Sequence, residues 1–448
     1  VLFDLFSSGG SYRTLSPVIG ADTAINIFSE TREIEGEKQR TYYGTPGRKL
    51  FIAANGANGG NRGEYVLNGR QFVVIGATLY EVNSSAGTKT ALGTIPNDGF
   101  SVTYASNGAA GQQLAIVGGD ALNVLYLAAV NGDSGTATGG GASTLTDAAA
   151  TFPDYSLGWT ITITGGTGSG QTANILSNTT TIITVTAPWG TQPDATSTYQ
   201  IAHAATLVTV PLPFSNPATI TFLDGRGYIN QTDTPTIWWS GIEDLTAWDA
   251  LDFLTRSETP DNIVKVDVSR DRLWAFGLQT TTLFYDSGDA DTPLLPYPGT
   301  TFQFGFPTRT CIALYKDTFF GVGQSAKGLP QVVLMSDPTP TVISTPPIDR
   351  FLQAAVSLSG LELLVYEQMG HTFVCMTVPT SPDDVQTYCY DLLEKQWHAR
   401  AGIDPTTGQW TRWRVQGCMT QGNQIIVGDY TTGDLYTLDL AAYDDDGT

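Results

Sequence analysis

Clusters of short apolar strands recur along this chain at intervals of roughly forty residues, the repeat length of a β-propeller blade. One is "EYVLNGRQFVVIGATLYEV", two strands around Asn68-Gly69 and a third after Gly76. Others are "QLAIVGGDALNVLYLAAV", "TITFLDGRGYINQTDTPTIWWSG", "NIVKVDVSRDRLWAFGLQTTTLFYDSG" and "TCIALYKDTFFGVGQSAKGLPQVVLMS". The series ends with "LELLVYEQMGHTFVCMTV" plus "QTYCYDLLEKQWHAR", then "WRVQGCMTQGNQIIVGDYTTGDLYTLDL". Most share one grammar: an apolar strand, a polar turn, a strand ending near glycine, then an aromatic strand. Such a unit cannot bury its apolar faces alone and must stack on its neighbours. The pattern predicts an all-β fold, a β-propeller of about six to seven blades. The spacing is too even for an array of β-sandwiches. The 49 glycines and 23 prolines serve as turn punctuation between runs of Thr, Val, Ile, Tyr and Phe. Only "PPIDRFLQAAVSL" reads as a helix.

Two segments break the rhythm. Residues 1–48 carry the charged stretch "SETREIEGEKQRTYYGTPG" and are expected to pack on the propeller or on an adjacent ring. Residues 49–131 hold the first blades. Residues 132–204, opening with the flexible "NGDSGTATGGG", read as a small β module inserted between strands of a blade, and 205–448 supply the remaining blades. Within the insertion, "ITITGGTGSGQTANIL" places Gly165, Gly170 and Thr172 at the spacing of a phosphate-binding loop. The lysine that such a loop needs is replaced by Gln171. β-branched residues on both sides give strands where a phosphate loop requires a following helix. The stretch is expected to be a hairpin turn.

The net charge of −21, from 43 acidic against 22 basic residues, disfavours conventional nucleic-acid binding, because such a surface repels phosphates. It suits solubility, or a passage through which DNA slides without sticking. Hydrophobic residues at 41% allow a sizeable core, and no run of eighteen apolar residues predicts a membrane span. The start, "VLFDLFSSGG", lacks the basic region of an export signal, and the absence of an initiator methionine suggests a trimmed chain. Cys311, Cys375, Cys389 and Cys418 show no paired-cysteine spacing and are expected to be reduced thiols. Asp286, Asp289 and Asp291 lack the glycine and terminal glutamate of a calcium loop, so a solvated turn is expected. His203, His371 and His398 form no short-range metal pair, although the last two could meet across neighbouring strands. No sialidase box or nucleophile elbow occurs. Trp238, Trp239 and Trp248 could stack a sugar, but blade-to-blade packing is the commoner use of such rings. No catalytic, cofactor or metal site is expected.

Two stretches resemble a known family. "INIFSETREIEGEKQRTYYGTPGRKLFIA" is similar to the start of tail-hub proteins of short-tailed bacteriophages. "ISTPPIDRFL" followed by "VYEQMGHTFVCMTVPTSPDDVQTYCYDLLEKQWHAR" resembles the packaged-DNA stabilisation proteins, also called tail nozzle or tail accessory proteins. The likeness departs at 132–204, and at Cys389, where an aromatic or β-branched residue is more usual. The resemblance implies a structural virion protein, assembled in the bacterial host cytoplasm into a tail ring of about six copies. That ring would lie below the portal and its adaptor, hold a plug or needle, carry fibres or tailspikes, and let DNA pass through its lumen. It implies no membrane insertion and no catalytic residue. The matched positions read as fold determinants: Pro46 and Gly47 for a turn, His371 and Tyr390 on strands, and Asp391 capping the turn after its strand. Trp397 is expected between blades and Arg400 beside an acid. The basic cluster Arg32, Lys38, Arg40, Arg48 and Lys49 is the candidate ring contact. A carbohydrate-binding or glycan-active propeller is the alternative, supported only by the tryptophans and acidic loops.

With Gln171 in the lysine position, isothermal calorimetry with ATP or GTP and magnesium should detect no binding. Micromolar affinity abolished by Gly170→Val would overturn the hairpin reading.

Overall fold

Tight turns set the first level of order. Asn68 and Gly69 take φ of 51° and 77°, and Asp224 and Gly225 take 43° and 84°. Both pairs are the left-handed combination that a two-residue hairpin needs. A computed structural model of the chain describes residues 24–442, except 35–36, 57–58, 109–110, 156, 258–259, 326–327, 337–338 and 405; at 33–34 and 37–38 only the backbone is described. Residues 1–23 of the amino-terminal segment therefore lie outside the described residues.

The hairpins build seven antiparallel blades arranged as a propeller, with 56% of residues in strands and 3% in helix. Blade 1 spans residues 61–94. Blade 2 begins at Thr103–Ser106, blade 3 at Pro217–Leu223, blade 4 at Ile263–Ser269, blade 5 at Ile312–Tyr315, blade 6 at Glu362–Gln368 and blade 7 at Val415–Gln421. These first strands are innermost and lie against one another around the axis. The amino-terminal strands are β1 (Ile27–Ile34), β2 (Glu37–Gly44) and β3 (Gly47–Ile52). β1 and β2 form a separate hairpin. β3 crosses to the other end of the chain and pairs with Leu435–Asp439 as the outermost strand of blade 7.

Each seam between consecutive blades holds its own apolar cluster. In Arg70–Ile75, Phe72 and Val74 enter the seam with blade 2, while Val73 and Ile75 enter the seam with blade 7. Successive side chains point to opposite faces of a strand, so a strand buried on both faces reads as a continuous apolar run. The tryptophan of the carboxy-terminal motif obeys the same geometry. Trp397 is buried between blades 5 and 6 beside Phe320, Val332 and Val374, and its Nε1 donates to the Ile343 carbonyl at 3.0 Å. The one α-helix among the described residues, α1 (Pro346–Ala354), begins with proline after Thr345 and turns Ile348, Phe351 and Leu352 into the same seam.

The expectation of four reduced thiols is corrected at one pair. Cys375 and Cys389 stand directly opposite each other on neighbouring strands of blade 6, with Cα atoms 4.0 Å apart, and are joined as a disulfide. Strand register brings them together, whereas their separation of 14 residues carries no motif. Cys311 and Cys418 are free.

Between the third and fourth strands of blade 2 the chain leaves to form a seven-stranded sheet, from Val130–Thr136 to Thr198–His203. This sheet has its own core, including Leu145, Phe152, Ile161, Ile183, Trp189 and Tyr199. Exit and return are adjacent, since Leu125 and Leu207 are antiparallel partners. His203 marks the junction: its ring stacks on Tyr126 of blade 2 at 3.5 Å and meets Trp159 of the insertion edge-on at 5.4 Å. The glycine stretch is a hairpin tip between Trp159–Gly165 and Thr172–Asn178. Gln171 donates from Nε2 to the Gly168 and Thr191 carbonyls, and its Oε1 accepts the Thr191 amide. The residue in the lysine position thus fastens the loop.

Trp397→Ala should lower unfolding free energy by about 3–5 kcal/mol, the cost of a large buried aromatic; an unchanged denaturant midpoint would place the ring at the surface. Replacing 132–204 by a short Gly/Ser loop should leave a folded propeller by circular dichroism, because the flanking strands already form a hairpin and closure costs little. Loss of the strand signal and of the melting transition would show the insertion to be integral.

Candidate functional site

The positions singled out by the amino- and carboxy-terminal motifs converge on blades 6 and 7. The β1–β2 hairpin reaches blade 6 through Asn26. This residue sits at φ 56°, donates from Nδ2 to the Ala401 carbonyl at 2.9 Å, and accepts the Ala401 amide at 3.1 Å. Phe28 follows and is buried against His371, Phe373 and Tyr43, with ring centroids 5.2, 5.3 and 5.6 Å away. Ser29 and Thr31 complete the attachment by donating to Gln396 and Glu394 at 2.9 and 2.7 Å.

Beneath Phe28 lies the rest of the motif. His371 Nδ1 is 2.6 Å from Asp391 Oδ2, both buried. The other Asp391 oxygen accepts the Leu393 amide at 2.9 Å, which caps the turn after its strand. Tyr390 packs on Trp397 at 5.2 Å. Burial first, then the charge of Arg400 and the proximity of His371, hold His398 well below the ordinary histidine range, so its ring is neutral. Arg400 is buried with its guanidinium over Tyr366, Phe373 and Trp413 at 5.1, 5.2 and 4.9 Å. Its Nε lies 3.5 Å from His398 Nε2. These residues form a socket that holds the hairpin. Nothing in their arrangement offers a nucleophile with a base.

The five basic residues do not share one surface. Arg32 is exposed and paired with Glu30 at 2.9 Å. Lys38 lies on β2 opposite Glu33, with its side chain outside the described residues. Arg40 is half-buried on β2, and Lys49 is exposed on β3. Arg48 is corrected outright: it is buried, 3.0 Å from Asp429 Oδ2, with its guanidinium 4.6 Å from the Tyr436 ring centroid. Alternation along β3 turns Arg48 inward and Lys49 outward. Pro46 and Gly47 link β2 to β3, and the Gly47 amide donates to the Ala442 carbonyl at 2.9 Å. Asp429 also accepts from Arg414 Nε at 2.8 Å. Burial alone would raise this carboxyl, but hydrogen bonds from Arg414 and Thr431 win and hold it below the usual carboxylate range.

The propeller axis is narrow and charged. A cavity of about 290 Å³ lies among the innermost strands, room for about ten waters at ~30 Å³ each. Asp98 bridges Arg62 and Arg309 at 2.7 and 3.1 Å. Across the axis, Glu362 accepts from Gln416 at 2.7 Å and Ser101 at 3.2 Å and faces Arg412 at 3.5 Å. Glu64 is pushed up to about 8, chiefly by loss of water contact and secondarily by Glu362, against the lowering effect of Asn61.

The remaining sequence candidates resolve into structure. Asp286 and Asp289 accept the Gly288, Asp291 and Thr292 amides of their own turn, and no metal-holding group of His, Cys, Asp and Glu occurs among the described residues. Trp239 is buried in the seam of blades 3 and 4. Trp238 stacks on Phe214 at 4.5 Å, and Trp248 meets Phe214 at 6.4 Å while donating to the Leu245 carbonyl. The sequence reading missed Asp429, which meets Arg48 from a strand 381 residues along the chain.

Residues 155–443, more than half of the chain, match a protein-family model described as "Bacteriophage P22 Gp10, beta-propeller". No curated protein matches in sequence. Among solved structures, the computationally designed Ika8 protein is similar at 7% identity and a TM-score of 0.36, over 87% of this chain and 99% of that one. PorZ of Porphyromonas gingivalis is similar at 10% identity and 0.41, over 88% and 38%. The N-terminal domain of Nup159 is similar at 9% and 0.40, over 93% and 99%. Likenesses this distant carry no argument.

Arg48→Ala should cost about 1–3 kcal/mol by removing one buried charged partner of Asp429, which keeps Arg414, while Lys49→Ala should change stability by no more than about 0.5 kcal/mol; equal effects in thermal melts would contradict the inward and outward placement. A carboxyl lowered on folding adds stability above its unfolded pKa near ~4 and loses it as pH falls through the folded value. Stability should therefore fall on acidification below about pH 4, and Asp429→Asn should flatten that dependence.

Proposed function

The chain belongs to the phage tail nozzle family described by P22 Gp10, and from that premise we propose that about six copies form a ring in the tail, below the portal and its adaptor. The family is one of structural, DNA-stabilising tail proteins, and it implies assembly in the virion with other tail components. In this reading the ring's lumen conducts DNA out of the particle. A plug or needle beneath closes it, and fibres or tailspikes attach outside. The parts assemble in the host cytoplasm, and the protein is not an enzyme and uses no cofactor.

The observation that carries the reading is the family match. The conduit in this reading runs between subunits. Acidity suits that role. Each lysine or arginine pairing with a phosphate adds attraction, and a passage must not grip what slides through it. At −21 per chain, a ring of about six would carry more than a hundred excess negative charges. Such repulsion favours basic residues at the contacts. Arg32, Lys38, Arg40 and Lys49 are the basic residues assigned to contacts in the assembly. Of the three tryptophans of the carbohydrate alternative, Trp239 is buried in a seam between blades, while Trp238 and Trp248 are half-buried.

Native mass spectrometry of the chain should give a closed ring of about six copies; a monomer that binds glycans would sink the proposal. Arg32→Glu with Lys49→Glu should leave the melting temperature unchanged but yield particles that lose their DNA. Full DNA retention in that variant would remove these residues from the contact.

A further inference from the structure

Blade 3 presents an edge unlike the others. Its outermost strand, Asp244–Thr255, pairs with the preceding strand at Gly241↔Asp244, Ser240↔Trp248 and Trp238↔Phe253. Residues 249–252 therefore have no partner on that strand and bulge outward. Leu251 at the crest is 83% exposed, flanked by Ile242 at 68% and Phe253 at 43%. Asp249 fixes the bulge by accepting the Leu251 amide at 2.8 Å. Behind it, Phe253, Trp238 and Phe214 form a half-exposed aromatic shelf, with centroids 4.8 and 4.5 Å apart along the stack. Contiguous exposed apolar surface of this kind marks a contact site, and the pre-formed bulge reduces the ordering cost of binding. The charge around Leu251 is acidic, from Glu243, Asp249, Asp252 and Asp291. Asp252 is raised above the ordinary carboxylate value by burial and by Asp249 and Asp291, against the lowering effect of Arg226.

The opposite side of the molecule carries the complement. Blade 3 is three steps from blade 6 in one direction and three from blade 7 in the other, the largest separation seven blades allow. There β3 forms the outer edge of blade 7 and exposes Lys49 beside Leu50, which is 41% exposed. The β1–β2 hairpin on blade 6 adds Arg32 and Arg40. One edge sets Leu251 among carboxylates, and the far edge sets Leu50 beside Lys49.

We infer that the blade 3 bulge of one copy docks on the β3 edge of a second copy, Leu251 against Leu50 and Asp249 and Asp252 against Lys49. The inference rests on the ring proposed above and names its subunit contact. Two different edges make a heterologous contact, which repeats head to tail and forms a ring where the rotation between copies closes. The bulge also keeps the Asp244–Thr255 edge from pairing strand to strand, so that the contact is made by side chains and does not propagate as a sheet.

A heterologous contact predicts complementation between one-sided variants. Leu251→Asp cripples one edge and Lys49→Glu with Leu50→Asp the other. Sedimentation velocity of the full-length chain should show self-association weakened at least tenfold in each alone, with unchanged melting temperatures. An equimolar mixture should form dimers and nothing larger, because one intact pair of edges remains. If Leu251→Asp melts early, Leu251→Ser serves in its place. Variants that assemble like the wild type, or a mixture that stays monomeric, overturn this contact while leaving the ring intact as a proposal. A wild-type chain that stays monomeric at its highest soluble concentration overturns both.

Discussion

Everything in this structure depends on one pairing: β3 against Leu435–Asp439, the two ends of the propeller meeting in blade 7. A propeller has no covalent closure, so its first and last blades must be held by strand pairing or separate. Here the joint is stiffened from within. Arg48 projects from β3 onto Asp429, Arg414 meets the same carboxylate from the neighbouring strand, and Tyr436 covers the guanidinium. A buried ion pair contributes less to net stability than its distances suggest, because both charges leave water. Its effect is specificity: any register that shifts β3 by one residue turns Arg48 out and Lys49 in, taking one charged partner from Asp429.

The same joint organises the candidate surfaces. By crossing blade 6 before reaching blade 7, the amino-terminal hairpin is attached through Asn26 and Phe28 to a socket of His371, Phe373 and Asp391. The hairpin's basic residues are therefore presented from a rigid support and not from a loose tail. Meanwhile Asp98, bridging Arg62 and Arg309, and Glu362, facing Arg412, tie the innermost strands together around the axis.

Much of the fold was legible in the sequence because propeller physics is local. Asn68-Gly69 and Asp224-Gly225 name their turns by backbone preference, and runs such as "QFVVI" name strands buried on both faces. Trp397 was legible for the same reason, since a tryptophan at the end of an apolar strand has a seam to fill. Long-range register was not legible. Nothing near Arg48 announces Asp429, far along the chain, so a residue on a basic stretch read as surface. Cys375 and Cys389 likewise meet only when two strands align. The bulge at 249–252 escaped notice because it depends on how Asp244–Thr255 registers on the preceding strand, which no local motif announces.

The position of β3 has a consequence for how the protein is made. Synthesis delivers this strand before blade 1 and its partner only after blade 6, so the first blade forms beside a neighbour that does not yet exist. Until Leu435–Asp439 emerges, β3 is an unpaired edge. Val73 and Ile75 likewise face water where Ile426 and Leu435 will later pack. Contacts this distant in sequence are slow to form, and exposed edges invite mispairing while they wait. The alternating lysine and arginine on β3 suit that interval, because charged side chains along an edge discourage stray strands. The nascent chain is protected by the same two residues that later divide between closing the propeller and facing outward.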